Sequence, residues 1–302
     1  MKTIITHPNF DYLGDKIAND NVGRIIKAKV DFESFADGWP NIFVEKVKEI
    51  IEHKDVTYIG DFSNPRDLFF NYALINGVID YYADKVRVIM PYFPVGTMER
   101  IDEKGEVATA KYFADIMSNI PSGRMGKTSI HVFDIHALQE RFYFDSTKVN
   151  AEMHTAMHLL DEVIKGKVIC FPDEGAKKRF GKEFSNYEKI LLSKTRNIDE
   201  RIISIKEGNP EGKDVVLIDD LIQTGGTLIK STEELRSKGA KSVSAFATHG
   251  VFPNDSLSKL LGVVDDLLVT DSIPANITRA SDKSNMQVLS LKSDIEKLIL
   301  NG

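Results

Sequence analysis

Along its 302 residues the chain alternates β-type and α-type patterns, which predicts an α/β protein of two tandem doubly wound domains. Each domain is expected to hold a central, mostly parallel sheet. Three observations carry the prediction. The length suits two domains of ordinary size. Continuous aliphatic runs such as 86–90 and 215–218 read as strands buried on both faces, as in parallel sheets. Stretches with helical spacing recur between those runs. The expected boundary lies at 146/147, giving domains 1–146 and 147–302, with the last helix free to pack back on the first domain.

Taken in order, the opening to residue 21 carries Pro8, Gly14 and polar residues and predicts no element. Residues 24–32 (RIIKAKVDF) read as one strand, followed by a loop at 33–41 with the sole tryptophan, Trp39. The spacing of Ile42, Val44, Val47, Ile50 and Ile51 predicts a short helix, and 56–59 a strand. An apolar helix over 68–82 and a strand over 86–90 follow, ended by Pro91 and Pro94. After a polar loop at 96–105 come a helix with apolar Ala108, Phe113, Ile116 and Met117 and a strand at 128–135. The second half predicts a helix at 153–164, a strand at 168–171, a helix from Ala176 and a strand at 190–194. A charged segment, 197–211, leads to the strand at 215–218. A helix at 228–238 stopped by Gly239, strands at 242–248 and 266–270, and a helix at 293–300 complete the chain.

A net charge of −6 argues against a nucleic-acid binder that works through phosphate contacts, although a local basic patch remains open. Cys170, alone in the chain, cannot form an intrachain disulfide and fits a reducing compartment. No apolar run approaches the roughly 20 residues of a membrane span, and the N-terminus lacks a long apolar core. The expectation is a cytoplasmic protein with neither membrane nor nucleic acid as partner.

The chemistry concentrates at 215–227, VVLIDDLIQTGGT. A buried parallel strand delivers its next residues to the carboxyl edge of the sheet, where open α/β folds bind ligands. Asp219 and Asp220 there can accept hydrogen bonds from vicinal hydroxyls or hold a hard cation. Gly225 and Gly226 let the backbone approach a ligand, Thr224 and Thr227 add hydroxyls, and the N-terminus of the next helix faces an anion. Hydroxyls at one end and a phosphate at the other describe a sugar phosphate. Asp134 and His136 sit at the tip of the 128–135 strand. His136 can serve a nucleotide phosphate or a metal, or simply bond a neighbouring turn. Asp173 follows another strand tip and precedes Lys177, Lys178 and Arg179. Lys194 and Arg196 alternate, so an extended chain sends both to one side, where cations can stabilise transferred phosphate oxygens. GRMGKTS (123–129) imitates the end of a Walker loop, but Pro121 stands where the motif needs glycine and a strand follows instead of preceding it. His154 and His158 are spaced for one helical turn, yet no cysteine cluster or HExxH glutamate joins them as a zinc site.

VVLIDDLIQTGGT resembles the phosphoribosyl-diphosphate (PRPP) loop shared by type I phosphoribosyltransferases and PRPP synthases, also called ribose-phosphate diphosphokinases. FDIHALQERFYF, PDEGAKKRF, LSKTR and IDDLIQTGGTL stand in the order found in the synthases, and PYFPVGTMERIDEKGEVATAK resembles their nucleotide-side loop. The likeness covers about 35–290 and is nearest in pattern to the plant-type class. It implies two phosphoribosyltransferase-like domains that transfer the β,γ-diphosphoryl group of ATP to the 1-hydroxyl of ribose 5-phosphate, releasing AMP, with Mg²⁺ as cofactor and a homo-oligomeric assembly. By the same resemblance Lys194 and Arg196 are catalytic. Asp219, Asp220, Gln223, Thr224, Gly225, Gly226 and Thr227 bind ribose 5-phosphate. Phe35, Asp37, Glu99, Arg100 and His136 serve the nucleotide, and His136 and Asp173 the metal. Gln223 departs from an acidic residue common in the family, and Thr97-Met98 from an Arg-Gln pair. Two alternatives remain: a phosphoribosyltransferase that consumes PRPP, and a non-catalytic regulatory subunit.

Overall fold

The computed structural model describes residues 1–196 and 201–301, without the side chains of Thr195, Arg196 and Arg201. Two compact units emerge, one of residues 1–154 with 291–302 and one of 155–290. The first boundary thus falls eight residues beyond the expected one, and the terminal helix groups with the first unit.

The first unit opens with β1 (Lys2–Thr6) and α1 (Asp11–Asp20), where the sequence pattern predicts nothing. Leu13 and Ile17 of α1 are fully buried, a two-residue hydrophobic stripe too short to stand out among ten mostly polar residues. The expected strand 24–32 divides into β2 (Ile25–Lys27) and β3 (Val30–Ser34), which belong to different sheets. Strand β3 pairs antiparallel with β4 (Pro40–Val44) in a hairpin. The helix expected over 42–51 is therefore only α2 (Val47–Ile50). Alternation of exposed and half-buried residues in β4 has period two, which Ile42 and Val44 satisfy, and helical spacing takes over only from Val47.

Elements β5 (Asp55–Ile59), α3 (Leu68–Asp80), β6 (Lys85–Met90), α4 (Thr109–Ser118) and β7 (Ser129–Phe133) follow as expected. The helix expected at 153–164 is instead β8 (Asn150–His154) and a short 3-10 turn, Met157–Leu160. The six-stranded order is β2-β1-β5-β6-β7-β8, all parallel.

The second unit contains β9 (Val168–Phe171), α5 (Glu174–Phe180), β10 (Lys189–Arg196), β11 (Arg201–Glu207), β12 (Asp214–Ile222) and α6 (Gly226–Ser237). Then come β13 (Ser242–Gly250), α7 (Ser256–Leu261), β14 (Leu267–Thr270), α8 (Ala275–Ala280) and β15 (Met286–Leu289). Part of the charged segment 197–211 is therefore strand β11, antiparallel to β10. The order is β11-β10-β9-β12-β13-β14-β15, with β12 at the centre. Val215 to Ile218 have no exposed surface, and their alternate side chains enter two separate clusters, one on each sheet face. Burial on both faces explains why this strand reads as an unbroken aliphatic run.

The last helix, α9 (Lys292–Asn301), buries Ile295 and Ile299 fully. Lys2 donates its ammonium protons to the Ile299 and Leu300 carbonyls, at 2.7 and 3.1 Å, where a cation opposes the C-terminal end of the helix dipole. Asn21 donates to Glu296 at 2.6 Å. Among the described residues no helix is long and apolar enough to cross a membrane.

Removing the Ile299 side chain leaves a cavity under α9, so Ile299→Ala is expected to cost about 2–5 kcal/mol in the first unit. Urea unfolding followed by Trp39 fluorescence reads that unit alone, because Trp39 packs edge-on against Phe69 of α3 at 5.3 Å. An unchanged midpoint would refute the packing role of α9.

Candidate active site

Both sheets reverse their winding once. In the second unit the chain leaves β9 toward β10 and β11, then returns on the other side of β9 as β12. The crevice outside the carboxyl ends of β9 and β12 is a topological switch point, where no crossover helix covers the sheet edge. Asp173 follows β9, and Asp219 and Asp220 lie within the last turns of β12 and not beyond it, since β12 runs on to Ile222. The strand outlasts its aliphatic run because β13 continues to pair with it, Leu221 opposite His249 and Ile222 opposite Gly250.

The acidic pair is electrostatically divided. Asp220 is buried and meets Arg179 of α5 at 3.5 Å, while the Asp219 carboxylate accepts from the Asp220 backbone N–H at 3.0 Å. Burial first, then the neighbouring charges of Asp220 and Asp173, push the Asp219 carboxyl well above the usual carboxylate range. Asp173 caps α5 by accepting from Ala176 N–H at 3.0 Å, which orients its carboxylate at the crevice.

Beyond β12 the chain turns into α6 through Gly225, at φ +71°, a left-handed conformation that favours glycine. No side chain caps this helix and no acidic residue sits in its first turn, so its leading N–H groups are available to an anion. Thr227 lies in that first turn, and the Lys194 ammonium reaches its hydroxyl at 3.4 Å. Lys194 stands on strand β10, which runs past the expected end at 194: beyond Leu191 β10 leaves β9 and continues paired to β11 alone. Arg196 ends β10, but its side chain lies outside the described residues.

Two neighbours of this cradle escape sequence reasoning. Val251 N–H donates to the Ile222 carbonyl at 2.9 Å and Ser256 Oγ to the Gln223 carbonyl at 3.2 Å, so the turn after β13 braces the loop. Gly250 is required there, because a Cβ would lie 2.3 Å from the Phe252 ring. Arg179 is the other: its signal was the basic run after Asp173, but its partner Asp220 lies far along the chain.

In the first unit the switch point falls between β1 and β5. There Asn9 donates to Asp61 at 2.7 Å. The expected nucleotide residues lie elsewhere. Glu99 is buried and pairs with the exposed Arg100 at 3.3 Å, and Tyr143 donates to the Glu99 carbonyl. The exposed His136 sits against Gly96, whose added Cβ would come within 3.1 Å of its Cβ. His136 follows Asp134, a buried non-glycine residue at φ +34°, a strained turn of the kind that concentrates at functional sites. Phe35 and Asp37 occupy the tip of the β3–β4 hairpin, apart from this group in sequence and on a separate two-stranded sheet. The Asp37 carboxylate accepts from Trp39 N–H at 3.2 Å.

A family model described as "Phosphoribosyl transferase domain" matches residues 177–279, which include Lys194 and the whole cradle. "Ribose-phosphate pyrophosphokinase 4" of Arabidopsis thaliana is 39% identical over 285 residues, 90% of this chain and 84% of the relative. "Ribose-phosphate pyrophosphokinase 3, mitochondrial" of Spinacia oleracea is 36% identical over 302 residues, covering 95% and 74%. Among solved structures, the phosphoribosylpyrophosphate synthetase of Mycobacterium smegmatis superposes with a TM-score of 0.83 at 22% identity, covering 99% of this chain and 98% of that one. That likeness extends the fold over both units.

Because the folded state raises the Asp219 pKa, this group's contribution to stability is present below the unfolded pKa of about 4 and is lost as pH rises toward the folded value. Asp219→Asn is therefore expected to raise the thermal midpoint of the ligand-free protein at neutral pH and to leave it nearly unchanged near pH 4. Midpoints measured across that range test this; a destabilised variant at neutral pH would reject the unfavourable charge.

Proposed function

The chain belongs to the ribose-phosphate pyrophosphokinase family, and from that membership we propose how its residues carry the transfer of diphosphate from ATP to ribose 5-phosphate. The 1-hydroxyl oxygen of ribose 5-phosphate bonds to the β-phosphorus of ATP and loses its proton. The bond from that phosphorus to the α,β-bridging oxygen breaks, AMP leaves, and the diphosphoryl group passes on intact.

The observation that carries the residue assignment is Lys194 Nζ at 3.4 Å from Thr227 Oγ1, a cation on one strand touching the phosphate cradle that follows another. The 5-phosphate sits on Thr224, Gly225, Gly226, Thr227 and the N-terminus of α6. Asp219 and Asp220 accept hydrogen bonds from the ribose hydroxyls, with Gln223 at the rim. Lys194 and Arg196 neutralise charge on the moving phosphoryl oxygens, which is most of what a protein contributes to this reaction class. Glu99, Arg100 and His136 serve the nucleotide together with Phe35 and Asp37 of the hairpin.

Asp173 beside Asp219 and Asp220 is an oxygen-rich donor set whose mutual repulsion suits a hard divalent cation. Mg²⁺ is the cofactor we propose: in the second unit Asp173 would hold it, and in the first His136 would serve the metal-bearing phosphates of the nucleotide; when bound it would offset phosphate charge. The exposed apolar side chains Phe35, Trp39, Phe43 and Phe69 support a homo-oligomer, and the buried, lone Cys170 supports the cytoplasm.

Incubation with ATP and ribose 5-phosphate should yield AMP and PRPP in equal amounts. Failure to form AMP would favour the regulatory subunit, and release of diphosphate from PRPP with a nucleobase would favour the phosphoribosyltransferase. Lys194→Ala is expected to lower turnover about 10²–10⁴-fold with little change in ribose 5-phosphate affinity. Lys194 is exposed, so the thermal midpoint should hold. Near-normal turnover would reject the role given to this lysine.

A further inference from the structure

Away from both crevices, strands β7 and β8 bring two histidines and a glutamate to one face of the first sheet. The parallel register sets His131 opposite Glu152 and Phe133 opposite His154, so period-two alternation points His131, Glu152 and His154 the same way. His131 Nδ1 and His154 Nε2 face each other at 2.9 Å, with rings stacked at 5.1 Å between centroids and 22° between planes. A Glu152 carboxylate oxygen lies 3.7 Å from the same His131 Nδ1. The three ligand atoms all fall within 4.8 Å of one another, the one such group of three among the described residues.

At most one proton fits between the two facing nitrogens, so at least one imidazole presents a bare lone pair there. Ser129 offers a partner to one of them. Its hydroxyl lies 3.1 Å from His131 Nε2 on the far side of the ring; in the tautomer whose Nε2–H donates to that hydroxyl, Nδ1 is bare and aimed at His154. An imidazole held in one tautomer by an outer hydrogen bond is how metal-binding histidines are commonly prepared. Glu152 has a further neighbour, Arg87 of β6, whose guanidinium donates to Thr57 at 3.0 Å and feels the Glu152 charge. Without that carboxylate, a dication would meet Arg87 unopposed.

We propose that His131 Nδ1, His154 Nε2 and the Glu152 carboxylate bind a divalent transition-metal ion of the zinc class, leaving one position to water. Two nitrogens and one oxygen suit Zn²⁺ or Co²⁺ and not Mg²⁺, which takes oxygen ligands. Zinc–nitrogen bonds of about 2.0–2.1 Å in tetrahedral geometry set the two nitrogens about 3.3 Å apart. The nitrogen separation need therefore widen by only a few tenths of an ångström, with the half-exposed His154 ring turning its lone pair toward the ion and the exposed Glu152 side chain closing in. Glu152 is 57% exposed at the side chain and leaves an entry route from solvent. Strand β8 is the sheet edge, paired only with β7, so the ion would pin that edge.

The test uses the full, tag-free chain in millimolar Mg²⁺, which fills oxygen sites, titrated with Zn²⁺ and read by retained metal after desalting and by thermal midpoint. The wild type is expected to retain one equivalent and to melt several degrees higher with zinc. Co²⁺ in place of zinc should develop the visible absorption of a low-coordinate nitrogen and oxygen site. His154→Ala and Glu152→Gln alter exposed or half-exposed side chains and should fold. The first should abolish retention and the second weaken it, while Ser129→Ala should weaken affinity about 10–100-fold through the lost tautomer control. Asp173→Asn should retain zinc as the wild type does. No retained equivalent in the wild type, or an equal one in His154→Ala, would overturn the proposal.

Discussion

Concentrating carboxylates at the end of a buried strand is the constraint to which the rest of the second unit answers. Asp219 and Asp220 follow four residues with no exposed surface, and Asp173 adds a third acid from the turn after the neighbouring strand. Such a group repels itself and loses hydration. The fold partly offsets the cost: Arg179 pairs with Asp220, and the ladder to β13 keeps the end of β12 in register. What is left uncompensated at Asp219 is a repulsion that a hydrogen-bond donor or a cation would relieve.

The same layout yields different consequences in the two units. Both sheets have a switch point, but only the second is followed by Thr-Gly-Gly-Thr and an uncapped helix start. In the first, Asn9 and Asp61 close on each other, and the strained Asp134 with the exposed His136 sits at the end of a different strand, β7. Function in an open α/β fold thus follows what each strand end presents, not the sheet itself.

Elements whose local pattern admits one reading were legible: α3, β6 and β12 are long aliphatic segments between clear breakers. The misread elements are short or amphipathic. Ile42 and Val44 join the helical spacing of 47–51 on paper but also alternate, and the partner strand β3 resolves them as half of a hairpin. The stretch 153–164 looks helical by spacing, but β7 pairs with Asn150 to His154 and takes its start into the sheet. Strand β11 hides in a charged run because it lies at the sheet edge, where one face meets water.

From the chain alone came the α/β class, the acidic strand end, the glycine-rich helix start and the basic pair at 194 and 196, because each is a local run whose chemistry is contained in a dozen residues. Only tertiary structure decided partners separated in sequence. Lys194 meets Thr227 across 33 residues, Arg179 meets Asp220, and His131, spaced for nothing in its own strand, meets His154 and not the neighbour His158. Parallel pairing joins strands through crossovers of many residues, so which side chains share a face depends on register, which no local pattern encodes.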